Sequence, residues 1–231
     1  MNFRRILDYI YPPRCPICDE ISTEGICGQC RRKVVYIRDD YCLKCGRPLT
    51  DSQKEYCYEC MRRTHFFFQG RSLFSYQGEV KASLYRFKYG NRREYAESYG
   101  EEIAGNLGRW ILRNHITKIV PIPLHASRRR KRGYNQAALL AREVGGRLHI
   151  QVDEKMLYRV KKTEPQKKLS AQERRENLTN AFEVRKKPVR GEHILLIDDI
   201  YTTGNTVDIA AKCLRDVEKC RIYVLTVAIG G

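Results

Sequence analysis

No stretch of the 231 residues approaches the roughly 18 consecutive apolar positions needed to cross a bilayer, so no membrane span is expected. The opening Met-Asn-Phe-Arg-Arg-Ile-Leu-Asp-Tyr-Ile is too short and too polar for a secretory signal, which makes a cytoplasmic chain the expectation. Acidic residues are scarce: 27 Asp and Glu stand against 44 Lys and Arg, a formal net charge of +17. Much of the excess is local, with 19 Lys/Arg against 7 Asp/Glu between His125 and Arg190, a balance of +12. Such a surface favours an anionic partner: pyrophosphate, a polyphosphorylated metabolite or nucleic acid. No internal repeat occurs beyond the cysteine pairs. Hydrophobic residues make up 42% of the chain, enough for one α/β core with a small appendage.

Eight of the ten cysteines fall in four Cys-x-x-Cys pairs: Cys15/Cys18, Cys27/Cys30, Cys42/Cys45 and Cys57/Cys60. Each pair fits one tight knuckle aiming two thiolates at a metal, and two knuckles complete a tetrahedral Zn(II) site. Disulfides suit a secreted chain rather than a reducing compartment. A redox Cys-x-x-Cys normally appears once beside a βαβ pattern, and iron–sulfur ligands are usually irregularly spaced. Two structural zinc ions are therefore expected, holding a segment too small to bury a core of its own. The spacing leaves open whether neighbouring pairs share a metal or interleave. Cys213 and Cys220 read as ordinary partly buried thiols.

The chain as a whole is organised around His193 to Thr206. Ile194 to Ile197 is a buried parallel strand by its apolar, β-branched run. The carboxylates of Asp198 and Asp199 require the strand to surface there. Thr202, Thr203, Gly204, Asn205 and Thr206 follow, then a helical face of Val207, Ala210, Ala211, Leu214 and Val217. A strand feeding a Gly/Thr loop at a helix N-terminus offers free amides, a favourable dipole and hydroxyl donors to a phosphate. With Asp198 and Asp199 suited to two ribose hydroxyls, the unit reads as a cradle for ribose 5-phosphate.

Elsewhere, Phe3, Ile6, Leu7 and Ile10 suggest a short amphipathic helix ended by Pro12 and Pro13. Phe66 to Tyr76 reads as a strand. Two helices follow, one carrying Val80, Leu84, Tyr85 and Phe87, the other Tyr95, Tyr99, Ile103, Leu107 and Ile111. Lys118 to Leu124 is a core strand. Next comes a basic loop, His125 to Gln136, with five successive cations from Arg128 to Arg132, and then a helix over Ala137, Leu140, Ala141 and Val144. His125 at a strand end reads as structural more than as a proton donor. Residues 153 to 184 form a polar insertion, and Arg221 to Ile229 alternates as the last strand.

Ile197-Asp-Asp-Ile-Tyr-Thr-Thr-Gly-Asn-Thr206 resembles the phosphoribosyl-pyrophosphate (PRPP) motif of type I phosphoribosyltransferases. Tyr201, where that motif usually has an aliphatic residue, is similar to the ComF branch, late-competence proteins with an amino-terminal zinc ribbon. Tyr11-Pro-Pro-Arg-Cys-Pro-Ile-Cys18 and the Cys-Leu-Lys-Cys-Gly-Arg-Pro-Leu of 42 to 49 resemble the double ribbon of the same family. The resemblance implies a helix and double zinc ribbon over 1–62 and a phosphoribosyltransferase-like domain over 63–231, a parallel sheet flanked by helices. PRPP would contact Asp198, Asp199, Tyr201, Thr202, Thr203, Gly204, Asn205 and Thr206, together with Mg(II). The basic loop would lie where pyrophosphate is held. Residues 159 to 182 resemble the family's hood and flexible loop, with Lys161, Lys162, Lys167 and Lys168 on a segment able to close over phosphate. Lys88, in Phe-Lys-Tyr-Gly, resembles a motif near the substrate pocket and reads equally as a helix-end lysine.

The resemblance implies a factor that binds single-stranded DNA during import of transforming DNA, with PRPP as ligand and a DNA-uptake helicase as a partner. Arg128, Arg129, Arg130, Lys131, Arg132, Lys167 and Lys168 would take the DNA backbone, with Tyr134 and Tyr158 for base stacking. The alternative is an active phosphoribosyltransferase in which Asp198, Asp199, Arg128, Lys161 and Lys162 act on PRPP. No base-recognition loop identifies an acceptor, and no amino-terminal cysteine points to ammonia release from glutamine, so enzyme status stays open.

Overall fold

The computed structural model describes residues 12–160 and 181–230. The expected amino-terminal helix and the hood lysines Lys161, Lys162, Lys167 and Lys168 lie outside the described residues. In each ribbon the second knuckle leads into a short helix, α1 (Gly28–Lys33) and α2 (Tyr58–Arg62). The sheet domain then runs β1 (Gln69–Ser75), α3 (Gly78–Tyr89), α4 (Tyr95–Arg113), β2 (Lys118–Pro121), α5 (Ala126–Arg132), α6 (Gln136–Leu148) and β3 (Gln151–Val152). A hairpin of β4 (Leu157–Arg159) and β5 (Phe182–Val184) interrupts it before β6 (His193–Tyr201), α7 (Asn205–Val217) and β7 (Arg221–Ile229).

The five-stranded sheet has the order β1-β7-β6-β2-β3, and every pairing in it is parallel. β6 is central, with Leu196 opposite Val120 on one side and Val224 on the other. Its side chains alternate between two cores: Leu195 and Ile197 pack toward α3, α4 and α6, whereas Ile194 and Leu196 pack toward α7. Burial on both faces is why this strand reads as continuously apolar rather than alternating.

The ribbons flank the exposed edge of the sheet. The segment joining them pairs with β1, Ile37 N–H donating to Leu73 O at 3.0 Å and Ser75 N–H to Val35 O at 3.0 Å. That covers an otherwise free strand edge. The first ribbon puts Cys15, Ile17, Ile26 and Val34 into the core on the α3 and α4 side, and the second puts Ile37, Cys42, Cys45 and Cys57 into the core on the α7 side. Gly46, at φ +77°, presses so closely on Gly70 and Arg71 of β1 that a Cβ would strike their backbone.

Two expectations are corrected. The central strand does not surface at Asp199, which is 7% exposed and ion-paired with Lys88, and it continues to Tyr201. The basic run is a helix rather than a loop: His125 Nδ1 caps the Ser127 N–H at 3.3 Å, and Gly133, in the left-handed region, closes its far end.

Candidate functional site

The eight knuckle cysteines form two groups, Cys15/Cys18/Cys27/Cys30 and Cys42/Cys45/Cys57/Cys60, with all sulfurs of a group within 4.8 Å of one another. Neighbouring pairs thus share a site, which resolves the pairing left open by spacing. A Zn–S bond of about 2.3 Å in a tetrahedron requires sulfurs about 3.8 Å apart. Cys18 and Cys27 are 3.9 Å apart, and Cys45 and Cys57 are 3.7 Å apart. Two four-thiolate sites of this size fit Zn(II), which would clamp each ribbon without an open position for chemistry.

At the carboxyl end of β6 the chain turns through Thr202 and Thr203, both exposed, to Gly204 at φ +73°. A Cβ on Gly204 would collide with the Tyr201 ring, so this position needs glycine for space as well as for φ. α7 starts at Asn205, and among the described residues nothing accepts from the Thr203 or Gly204 backbone N–H. Two free amides at the head of a helix 13 residues long have the chemistry to hold an anion.

Strand alternation turns the two carboxylates toward different neighbours. Asp199 is ion-paired with Lys88 Nζ from the end of α3 at 3.2 Å. Lys88 therefore belongs to the site as well as to the helix end. Asp198 lies on the hairpin side, where it and Arg128 both act electrostatically on the buried Arg159 guanidinium. Burial, then the Asp199 charge, pushes the Asp198 carboxyl up to about 7. Free loop amides, an acid pair and the cations Lys88 and Arg159 thus meet at one edge of the sheet, outside the carboxyl ends of its strands, with Arg128 near Arg159.

Several expected site residues stand elsewhere. The Tyr201 side chain packs inward: it is 4% exposed and meets the Phe67 ring edge-on at 6.3 Å. Tyr134 cannot stack on bases, being 6% exposed and donating its hydroxyl to Phe87 O. Tyr158 lies under the Arg185 guanidinium, 3.8 Å from its ring centre. Arg128, Arg129, Arg130 and Lys131 are exposed along α5, while Arg132 turns back to donate to Tyr89 Oη at 3.0 Å. Tyr85 and Tyr89, 65% and 55% exposed with ring centres 4.9 Å apart, are the aromatics beside the basic helix. They sit at i and i+4, a spacing visible in the sequence but equally that of a core face. Arg47 lies within the 42 to 49 motif, which gave no sign of its reach to the loop, and Arg63, His65 and Asp208 carried no motif to expose them.

The family model of the double zinc ribbon domain matches residues 6–61. Competence protein ComFC of Bacillus subtilis (strain 168) is 31% identical over 209 residues, covering 89% of this chain and 72% of that protein. DNA utilization protein YhgH of Escherichia coli (strain K12) is 42% identical over 100 residues, 43% of this chain and 44% of that one. A solved adenine phosphoribosyltransferase superposes with a TM-score of 0.39 at 14% identity, over 60% of this chain and 73% of its own. The sheet topology above, and not that superposition, carries the fold. An alignment as long as the one with ComFC spans ribbons and sheet alike, and on that ground the chain belongs to the ComF family.

Proposed function

We propose that the protein binds PRPP, or a related ester of ribose 5-phosphate, between Asp198 and Thr206, and single-stranded DNA along α5, and that it acts in the uptake of transforming DNA. The observation that carries the first part is the pair of free amides at Thr203 and Gly204 beside Asp198 and Asp199. The 5-phosphate would sit on those amides and the threonine hydroxyls, and the carboxylates would take the ribose hydroxyls. The oxygen donors of the acid pair suit Mg(II), which arrives with the diphosphate and offsets its charge. Calorimetric titration with PRPP should give saturable binding that is lost in Asp198→Asn/Asp199→Asn; absence of binding in the wild type overturns the reading.

The DNA part is supported by the exposed cations of α5 beside Tyr85 and Tyr89 and by the names of the relatives, a competence protein and a DNA utilization protein. Anisotropy of a labelled oligonucleotide should rise on binding and fall steeply with salt. A salt-insensitive signal, or none, removes it.

A second reading, transfer of ribose 5-phosphate to an acceptor, is favoured by the cations Arg159 and Lys88, whose charges both act on Asp198. A pyrophosphate leaving C1 would find its charge met there. Pyrophosphate release from PRPP, abolished by Asp198→Asn, is the assay; binding without release restricts the site to recognition.

A further inference from the structure

We infer that the second zinc ribbon is part of the ribose-phosphate site, with Arg47 and Arg63 as positioning residues that aim the loop amides at the phosphate. The inference rests on the reading of the Thr202–Thr206 loop given above. Arg63 Nη1 donates to Thr203 O at 3.2 Å, and Arg47 Nη2 to Thr202 O at 3.4 Å. In a planar trans peptide the carbonyl and the following N–H point in opposite directions. Holding these two carbonyls toward the ribbon therefore turns the N–H groups of Thr203 and Gly204 away from it, to the open side. Without those anchors the exposed peptides at 202 and 203 are free to rotate, and the cradle loses its two donors.

Arg63 is itself fixed. Arg63 Nη2 is 3.0 Å from Asp208 Oδ2, in the first turn of α7. Asp208 is 2% exposed and also accepts the Phe66 N–H at 3.0 Å. His65 bridges the same carboxylate and the zinc ligand Cys60, with Nδ1 2.7 Å from Asp208 Oδ2 and Nε2 3.4 Å from Cys60 Sγ. A path of direct contacts thus leads from the second metal site to the head of α7. Tyr201, seated against Phe67 with Gly204 beneath its ring, closes the gap between ribbon and loop. The aromatic residue in place of the usual aliphatic one fits this packing.

The test is calorimetric titration of the zinc-loaded full chain with ribose 5-phosphate, paired with hydrogen exchange of the loop without ligand. Arg47→Ala/Arg63→Ala should weaken binding by about tenfold or more, the loss of two charge-assisted bonds. Loop exchange should rise, with zinc content and Tm near the wild type. Arg63→Lys keeps the charge but not the fork to Thr203 and Asp208, and should bind as weakly as Arg63→Ala. Wild-type affinity in the double alanine variant overturns the inference and leaves the reading of the site standing. Full restoration by Arg63→Lys with unchanged exchange also overturns it, since charge alone would then suffice. Failure of the wild type to bind ribose 5-phosphate removes both.

Discussion

The two ribbons share one metal-binding pattern and have different neighbours. The first is held by the helices of the sheet domain: Arg86 Nη2 donates to Ile17 O at 2.6 Å, Arg92 pairs with Asp19 at 2.6 Å, and Arg31 pairs with Glu102 at 2.6 Å. None of these contacts is made to Thr202–Thr206. The second ribbon reaches the loop itself through Arg47, and the segment that leaves it does so through Arg63, with His65 reaching Asp208 at the head of α7. A shared pattern of paired Cys-x-x-Cys knuckles therefore says that a metal is held but not what the metal holds in place. The first knuckle pair braces the core, and the second braces the core and, on the inference above, the ligand.

The largest effects should come from removing one metal at a time. Cys45→Ser and Cys18→Ser should each lower zinc content from two to one per chain, because each removes a ligand from one four-cysteine group. Cys45→Ser should weaken ribose 5-phosphate by about 100-fold, whereas Cys18→Ser should leave it within about threefold, as distant sites act independently. Metal analysis and calorimetry on the same samples check both. Equal losses of affinity would erase the distinction between the ribbons.

Next come the carboxylates that anchor each ribbon. Asp208→Ala strands the Arg63, His65 and Phe66 donors, and should cost about 3–5 kcal/mol in urea unfolding. Asp19→Ala breaks a more exposed cluster with Arg92 and Tyr95 and should cost about 1–2 kcal/mol.

Asp19 and Asp198 should differ in the sign of their pH dependence. Burial opposes ionisation of Asp19, but Tyr95 and Arg92 outweigh it, so its folded pKa is lowered. Its stabilisation is present above the ordinary carboxylate pKa and is lost as pH falls through the folded value. Asp198 is raised to about 7, so the folded state holds a proton that the unfolded state releases between the ordinary carboxylate pKa and about 7. Stability falls as pH rises through that window. Asp198→Asn should therefore stabilise the protein, with a gain that grows between about pH 5 and 8 to the order of 1–3 kcal/mol. Thermal unfolding across that range checks the sign, and a gain that shrinks with rising pH contradicts it.

The smallest structural effect belongs to α5. Arg130→Ala, at an exposed position, should leave stability within about 0.5 kcal/mol and lower the salt slope of DNA binding by about one. The same substitution should leave ribose 5-phosphate affinity unchanged.

Legibility in the sequence followed locality. The knuckles, the acid pair and the Gly/Thr loop are contiguous and could be read directly, as could helices whose apolar residues recur at regular intervals, such as Tyr95 to Ile111. What escaped depends on contacts between distant parts of the chain. The packing of Tyr201 was not legible because its partner Phe67 is 134 positions away in sequence. Asp208 carried no expectation, because its partners Arg63 and His65 follow the second ribbon, far away in sequence. The run Arg128 to Arg132 looked too repulsive for a helix, yet solvent exposure, the His125 cap and Gly133 allow one. Carboxylates after an apolar strand suggested its end, while Lys88, delivered by α3, lets it continue.

The most direct test of the central claim is a titration of ¹⁵N-labelled protein with ribose 5-phosphate, followed by amide resonances. The expected result is saturable shifts largest at Thr203 and Gly204, with smaller shifts across the second ribbon and none at Cys15 to Cys30. Shifts confined to other surfaces, or no shifts at ligand concentrations that saturate a phosphate site, would contradict the account.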